Sequence, residues 1–387
     1  MIPETIRIFD QSPYQAEFTA KVLSCQEGKK GYEIILDQTC FFPEEGGQSP
    51  DTGTIQGHPV LDVKIKKDVI THFLPSPLEE GSEISGRIDW AHRFSNMQQH
   101  SGEHIVTGLI HKHFGYDNVG FHLSDQTVTL DMNGVLTKDE LEQIETEANE
   151  VVAKNLPTIV TYPSKEELKT IEYRSKIEIE GQVRLVTFPG VDTCACCAPH
   201  VARTGEIGMI KILSCVKFHQ GVRMELVCGK RAYTTLCAIY EQNRMVSQAF
   251  SAKPMETGEA ARKMNDQLSA EKLRATGLEK RLFGYISEGY VNQSCALHFA
   301  EGLSSAAVRE LADRIADRVT GWAAVLSGSD QEGYSLCIVS RHQDVKALGT
   351  QAVNALCGRG GGKSNCFQGS LKAEKARISA FFKEHIQ

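Results

Sequence analysis

Gln98-Gln99-His100-Ser101-Gly102-Glu103-His104-Ile105-Val106 is the stretch on which the reading of this chain turns. Its two histidines are four residues apart, so on an α-helix both imidazoles lie on one face, one turn apart, where a single ion reaches both. The segment from Phe94 to His113 has no proline, and Ile105, Leu109 and Ile110 fall near helical spacing, which predicts a helix. A second stretch, Asp192-Thr193-Cys194-Ala195-Cys196-Cys197-Ala198-Pro199-His200, sets a cysteine four positions ahead of a histidine. Together they offer His100, His104, Cys196 and His200, a nitrogen and sulfur donor set that suits tetrahedral zinc. Cys194 and Cys197 compete with Cys196 for the sulfur role, and spacing alone leaves that choice open. Histidine pairs at this spacing also occur by chance in ordinary helices. The Cys-rich segment favours ligands, because closely spaced cysteines beside a histidine in a reducing compartment bind metal more often than they form bridges.

Composition sets the frame. At 387 residues two or three domains are expected. With 41% hydrophobic and 24% charged residues, the chain has the composition of a soluble globular protein. Met1-Ile2-Pro3-Glu4 has no basic flank leading into an apolar run, so no secretory signal is visible, and no apolar stretch has the length of a bilayer span. Twelve cysteines without such a signal point to free thiols and a cytoplasmic location, with no membrane partner. The formal charge of −7 argues against a general coat of nucleic-acid contacts while leaving room for a local basic surface.

The fold class expected is α+β. Residues 1–89 read as a small β-barrel: Phe18–Ser24, Tyr32–Leu36, Val60–Ile65 and Ile70–Leu74 are short alternating or β-branched runs separated by turn signals. Between them Thr39 to Gln48 holds the pair Gly46-Gly47, which allows a close backbone approach but, taken alone, reads as a β-turn. Residues 90–235 read as a sheet backed by helices. Gln126–Met132, Ile159–Tyr162, Val183–Phe188, Ile207–Ser214 and Val222–Cys228 are its strands, and Thr137–Lys154 is an amphipathic helix through Leu141, Ile144, Ala148 and Val151. Residues 236–289 read as a helical arm, broken near Lys253-Pro254. Ala261, Met264, Leu268, Ala275, Leu278, Leu282 and Tyr285 keep a heptad there that Glu271 interrupts, which suits a coiled-coil arm or an ordinary surface helix. Residues 290–387 read as a small α/β domain closing with the glycine-rich run Gly358 to Gly369. Arg359 and Lys363 flank its glycines as candidate RNA contacts, in a loop without the fixed spacing of a P-loop.

These motifs, in this order, resemble the free-standing alanyl-tRNA editing proteins of the AlaX group, long form, which are homologous to the editing and C-terminal parts of alanyl-tRNA synthetase. The carriers are Phe42 to Gln48 with Asp51 and Gly53, His100 to His104, Cys196 to His200, Thr204 to Gly208, and the Gly360–Gly369 run. The resemblance implies zinc at His100, His104, Cys196 and His200, and so selects Cys196. It also implies an aminoacyl-tRNA deacylase, an ester hydrolase serving translation fidelity, whose substrate is alanine-specific tRNA mischarged with serine or glycine. By the same resemblance the last domain is a DHH-associated nucleic-acid-binding domain, and ligase activity is not expected. The family's usual Cys-Gly-Gly-Thr-His stands here as Cys196-Cys197-Ala198-Pro199-His200, which keeps the ligands and replaces the small residues of the loop.

Hydrolysis of an activated ester needs a placed water and charge stabilisation at the carbonyl oxygen. With three side chains bound, zinc keeps a position for water; with all four it holds only the RNA end. Glu103 is a candidate base whose bland role is a second-sphere or surface carboxylate, since a helical turn is expected to point it away from the His100–His104 face. By resemblance His122 belongs to the part that lines the amino-acid pocket and is a second catalytic candidate, with His122 or Ser124 contacting the substrate hydroxyl, and Gly46, Gly47 and Gln48 are candidate substrate contacts. A hydrolase that removes serine and spares alanine needs a group that hydrogen-bonds the extra hydroxyl. Two readings compete. His100-Ser101-Gly102-Glu103-His104 also matches the H-x-x-E-H arrangement of inverted zinc peptidases, which would require a downstream carboxylate ligand where this chain has a Cys/His loop. A zinc-stabilised, non-catalytic tRNA-binding protein is the other. Homodimerisation through the helical arm or the last domain is a further expectation.

Overall fold

The computed structural model describes residues 3–29, 31–175 and 181–386, in two units, Met1–Met245 and Val246–Gln387. In the first unit the chain runs through β1 (Ile6–Arg7), α1 (Ile8–Gln11), β2 (Glu17–Gly28), β3 (Gly31–Leu36), β4 (Gln38–Thr39), β5 (Gly53–Ile55), β6 (His58–Pro59), β7 (Asp62–Lys66), β8 (Val69–Leu74) and β9 (Glu83–Ile88). Among the described residues the larger sheet follows the antiparallel order β6-β5-β9-β2-β3-β8-β7. A register shift between Val22 and Ser24 bends β2, which pairs with β9 along its first half and β3 along its second. The order is open, with β6 and β7 at its edges, so backbone pairing does not close the expected barrel. Phe18, Val22, Ile34, Leu36, Phe41, Ile70 and Leu74 fill its apolar face.

His72 lies inside that face, fully buried, with Thr39 Oγ1 2.9 Å from its Nε2 and Ile34 O 3.4 Å from its Nδ1. Burial pushes its pKa down to about 4. An unfolded histidine titrates near 6.5, so the unfolded chain binds the proton first. Stability present above pH 6.5 is therefore lost as pH falls toward 4, by about 2–3 kcal/mol at pH 4.5. Urea titrations at pH 7 and 4.5 are expected to show that loss in the wild type and its disappearance in His72→Leu; equal losses in both would contradict the assignment.

The chain continues through α2 (Trp90–Phe114), β10 (Asn118–Leu123), β11 (Val128–Met132), α3 (Lys138–Lys154), β12 (Ile159–Thr161), α4 (Lys165–Leu168), β13 (Leu185–Phe188), β14 (Asp192–Ala195), β15 (Ile210–Phe218), β16 (Gly221–Cys228) and α5 (Gly229–Phe250). The strands form two antiparallel sheets, β10-β11-β16-β15 and β12-β13-β14. Asp89 caps α2 by accepting from the backbone N–H groups of Ala91 and His92, and Gly115, in a left-handed conformation, ends it. Every residue from Asn96 to Ile110 is buried, because sheets, α3 and the loops after β14 surround the helix. Thr137 and Glu140 cap α3 reciprocally, and Ile144, Ala148 and Val151 are its buried face, as the periodicity predicts. Ile207, expected in a strand, instead ends a 3-10 turn over Thr204–Ile207.

Two apolar cores meet beside α2, and Trp90 and Cys196 pack against both. Arg93 ties them together. Wholly buried, it donates through Nε to both oxygens of Asp51 at 3.0 Å, through a terminal nitrogen to Asp51 again, and to the carbonyls of Pro13 and Cys40.

The second unit contains α6 (Thr257–Glu288), β17 (Ala296–Ala300), α7 (Ser305–Ala316), β18 (Trp322–Ser329), β19 (Gly333–Ser340), α8 (Lys346–Ala355), β20 (Arg359–Lys363), β21 (Cys366–Leu371) and α9 (Lys375–Glu384). Its sheet follows the order β17-β18-β19-β21-β20, parallel between β17 and β18 and antiparallel elsewhere. The helical stretch expected over 236–289 is present, but the boundary between units falls inside α5 at Met245. The glycine-rich run is not a loop. It is the edge strand β20, paired with β21 from Arg359–Ser370 to Lys363–Cys366, with all five of its residues exposed. No helix among the described residues is long and apolar enough to cross a membrane.

Candidate metal centre

The helix α2 presents His100 and His104 one turn apart, ring centroids 5.4 Å from each other. The loop after β14 brings Cys196 and His200 against them. His200 lies with its ring 5.0 Å from His100 and 4.8 Å from His104, and Cys196 Sγ is 3.5 Å from His100 Nε2 and 3.3 Å from His200 Nε2. One donor atom from each of the four side chains lies within 4.8 Å of all the others. Tetrahedral zinc with bonds of roughly 2.0–2.1 Å to nitrogen and about 2.3 Å to sulfur separates its donors by about 3.3–3.6 Å, so the set fits.

Each imidazole is held by its other nitrogen. His100 Nδ1 donates to Gln48 Oε1 at 2.8 Å, and His104 Nδ1 to Asp192 Oδ2 at 2.9 Å. His200 Nδ1 lies 3.0 Å from Ser101 Oγ, which also accepts from the backbone N–H of Val201. With the Nδ1 atoms engaged, the Nε2 lone pairs converge on one point, the arrangement by which outer partners fix a ligating histidine. Gly108 makes the Asp192 contact reachable: a Cβ there would sit 2.6 Å from Asp192 Cβ and 2.9 Å from the Val191 carbonyl oxygen. Arg174 donates to Asp192 Oδ1 at 2.8 Å and to Thr107 Oγ1 at 2.9 Å, completing a buried polar network behind the donors.

The charges favour a cation at this point. Burial opposes the Cys196 thiolate, but His100 and His200 outweigh it and hold the thiol well below its ordinary range. Burial drives His200 down to about 3, leaving it neutral. Thiolate and neutral imidazole are the forms a metal needs. At His104 burial is overcome by Asp192 and by Cys196, which hold its pKa well above the ordinary value, so a proton and a metal ion compete for its Nε2. Asp192 itself, against burial, is held down by His104 and Arg174. Replacing Asp192 by asparagine is expected to weaken zinc binding roughly 10- to 100-fold in competition with a chromophoric chelator. An unchanged affinity would show that the carboxylate does not orient the ligand.

The remaining expected site residues divide. Glu103 is not at the surface and does not point away. It is three residues after His100, and so shares that side of the helix. Its Oε2 lies 3.8 Å from His104 Nε2 while its Oε1 accepts from Asn118 Nδ2 at 2.6 Å. Gly46 and Gly47 form a two-residue turn with φ of +60° and +83°, closed by hydrogen bonds between Glu45 and Gln48. A Cβ on Gly47 would meet the Phe121 carbonyl oxygen at 2.6 Å. This turn aims Gln48, whose Nε2 is buried without a protein partner among the described residues.

His122 is exposed. Alternation along β10 turns Phe121 inward instead, with its ring 4.8 Å from that of His100. The Ser124 hydroxyl is occupied in the turn before β11, accepting from the backbone N–H groups of Gln126 and Thr127 and donating to the Thr127 carbonyl. Of the competing cysteines, Cys194 lies buried with His104 and Asp192, while Cys197 points toward Gly46. Asp192, Ser101, Arg174 and Phe121 were missed. Asp192 and Ser101 stand in the two opening stretches, where a carboxylate and a hydroxyl beside prospective imidazole ligands were the available signal. Arg359 and Lys363 lie exposed on β20 in the second unit.

Residues 183–224 match the family described as "Threonyl and Alanyl tRNA synthetase second additional domain", and residues 7–92 match "tRNA synthetases class II (A)". The chain is 28% identical over 396 residues to alanyl-tRNA editing protein Aarsd1 of Danio rerio, covering 96% of this chain and 95% of that protein. It is 31% identical over 243 residues to alanyl-tRNA editing protein AlaX-L of Pyrococcus horikoshii, covering 59% of each. To alanine–tRNA ligase of Ignicoccus hospitalis it is 34% identical over 266 residues, 65% of this chain and 29% of that enzyme. The chain is thus AlaX-like, similar along almost its whole length to alanyl-tRNA editing proteins and related to alanyl-tRNA synthetase.

Proposed function

We propose that this protein edits tRNA in trans, hydrolysing the ester that joins serine, and secondarily glycine, to alanine-specific tRNA. The observation that carries the reading is the convergence of His100, His104, Cys196 and His200 beside the buried Gln48 Nε2, which has no protein partner among the described residues. The relatives, which are alanyl-tRNA editing proteins, support the editing role, and the choice of serine and glycine is what the family resemblance implies.

Zinc held by all four side chains would supply an anchor for the acceptor end, and Lewis acidity where one of the four gives up its place. Gln48 is fixed through its oxygen by His100, so its Nε2–H is aimed without needing to reorganise, and it donates to an oxygen of the incoming ester or of the seryl side chain. Glu103, whose Oε2 lies 3.8 Å from His104 Nε2, accepts the proton of the attacking water, while Asn118 and Thr107 steady its other oxygen. Phe121 walls the site and keeps bulk water from His100. Arg359 and Lys363 on β20 contact RNA phosphates, where the glycines between them let a backbone approach closely.

A site that hydrogen-bonds a hydroxyl leaves its own polar group unpaired when alanine enters. Deacylation of Ser-tRNA(Ala) is therefore expected to exceed that of Ala-tRNA(Ala) by at least roughly 10²-fold, with Gly-tRNA(Ala) between them. Equal rates for Ser-tRNA and Ala-tRNA would overturn the selectivity. Binding of tRNA without any hydrolysis would leave a zinc-stabilised RNA-binding protein.

A further inference from the structure

Glu45 Oε2, Gln48 Nε2, Ser49 Oγ and Arg184 Nε are buried without a protein partner among the described residues. Each forfeits a hydrogen bond on leaving water, so a group of them marks a place that water or a ligand completes. The group adjoins the metal centre on both of its segments. The Gly46-Gly47 turn holds Glu45 and Gln48 at its ends, the Glu45 N–H reaching the Gln48 carbonyl at 3.3 Å and the Gln48 N–H the Glu45 carbonyl at 3.1 Å. Gln48, 1% exposed, is the outer partner of His100. A Cβ on Gly46 would lie 3.4 Å from Cys197 Sγ, so the turn abuts the loop that carries Cys196. There burial first, then Cys196 and Glu45, raise the pKa of the Cys197 thiol, which sets the Glu45 carboxylate beside it.

Charge decides what the group receives. Arg184, its side chain 9% exposed, donates through Nη1 to the carbonyls of Cys196 at 2.8 Å and Ala198 at 3.0 Å, and its Nε stands 3.7 Å from Asp10 Oδ1, beyond hydrogen-bond reach. Pinned by two carbonyls and turned to Asp10, it is not free to neutralise Glu45. Lys64 pairs with Glu44, and Glu45 is in no ion pair among the described residues. Burial raises the Asp10 pKa, Arg184 and Arg7 lower it, and Glu45 adds to the rise, so the two carboxylates are neighbours with one guanidinium between them. The carboxylate in excess, with one oxygen buried and open, takes a compact cation that carries N–H donors. An aminoacyl ester has one such group, the α-ammonium, whose nitrogen lies about 2.5 Å from the carbonyl carbon. Holding that nitrogen therefore places the carbon that water attacks. It does so for any amino acid and refuses an ester whose amine is acylated.

We propose that the Glu45 carboxylate receives the α-ammonium of the esterified amino acid, so that only esters with a free amine are taken; this rests on the editing reading above. The test is equilibrium binding of the full-length, zinc-loaded protein at about pH 7, where the amine is largely charged, to two non-hydrolysable tRNA(Ala) probes. One carries serine through a 3′-amide; the other carries glyceric acid in the same linkage, with a hydroxyl in place of the ammonium. The wild type is expected to bind the seryl probe at least roughly tenfold more tightly. Glu45→Gln, which keeps the size of the side chain, is expected to lose that preference by weakening the seryl probe alone, with zinc content and circular dichroism unchanged. Equal binding of the two probes by the wild type overturns the proposal without recourse to a variant. A Glu45→Gln protein weakened equally toward both gives Glu45 a merely structural role and overturns it too. Deacylation is read separately: the wild type is expected to hydrolyse Ser-tRNA(Ala) at least roughly tenfold faster than N-acetyl-Ser-tRNA(Ala), and equal rates overturn the proposal. A wild type that prefers the seryl probe but hydrolyses neither ester upholds the subsite and sinks the editing reading.

Discussion

Replacing Arg93 by alanine is expected to lower the stability of the first unit by roughly 3–5 kcal/mol, the largest single effect we foresee on folding. The guanidinium and Asp51 are both fully buried, so removing one partner strands the other charge in an apolar surround. Asp51 also accepts from the Phe42 backbone N–H at 2.7 Å, and Arg93 also satisfies the carbonyls of Pro13 and Cys40. Losing the arginine therefore leaves several acceptors unpaired where α2 meets the N-terminal sheet. A double variant, Arg93→Met with Asp51→Leu, is expected to cost less than the sum of the single changes, because no lone charge remains. Denaturant unfolding read by Trp90 fluorescence, in a Trp322→Phe background, measures this. Strict additivity would mean that the pair stabilises only through packing.

The second large effect is on chemistry. Cys196→Ala is expected to abolish zinc retention after dialysis, from one ion per chain to near none, and to reduce deacylation of Ser-tRNA(Ala) by roughly 10²-fold or more. His122→Ala is expected to leave both unchanged, since His122 faces away from the site that Phe121 walls. The contrast matters because the resemblance implied a role for both residues, while only Cys196 was also marked by its spacing from His200. Cys196→Ala protein that keeps its zinc would move the sulfur role to Cys194 or Cys197.

How much could be read from the chain follows from the range of each signal. The helix α2 and its two histidines are local facts, carried by a 3.6-residue period and a four-residue spacing, and they stand where expected. Helix α3 was likewise legible from its apolar face. The partners of the histidines were not, because Gln48, Asp192 and Ser101 reach them through tertiary packing that no window of sequence contains. Glu103 was misplaced by a wheel argument that overlooked that i+3 neighbours share a side. His122 was misplaced because the strand β10 was not recognised, and alternation decides which side chain enters the pocket. The glycine-rich run looked like a loop because glycine usually breaks a strand. In β20 its glycines suit pairing at close quarters: a Cβ on Gly362 would lie 2.2 Å from the Cys366 carbonyl oxygen.

The proposed function depends on four side chains from two separated segments, His100 and His104 with Cys196 and His200, being able to share one metal ion, which we propose is zinc. X-ray absorption at the zinc edge of the purified full-length protein tests that most directly. The predicted spectrum has one sulfur at about 2.3 Å and nitrogen neighbours at about 2.0–2.1 Å, with the sulfur lost in Cys196→Ala. A wild-type spectrum with only oxygen and nitrogen neighbours, or with two or more sulfurs, would contradict it.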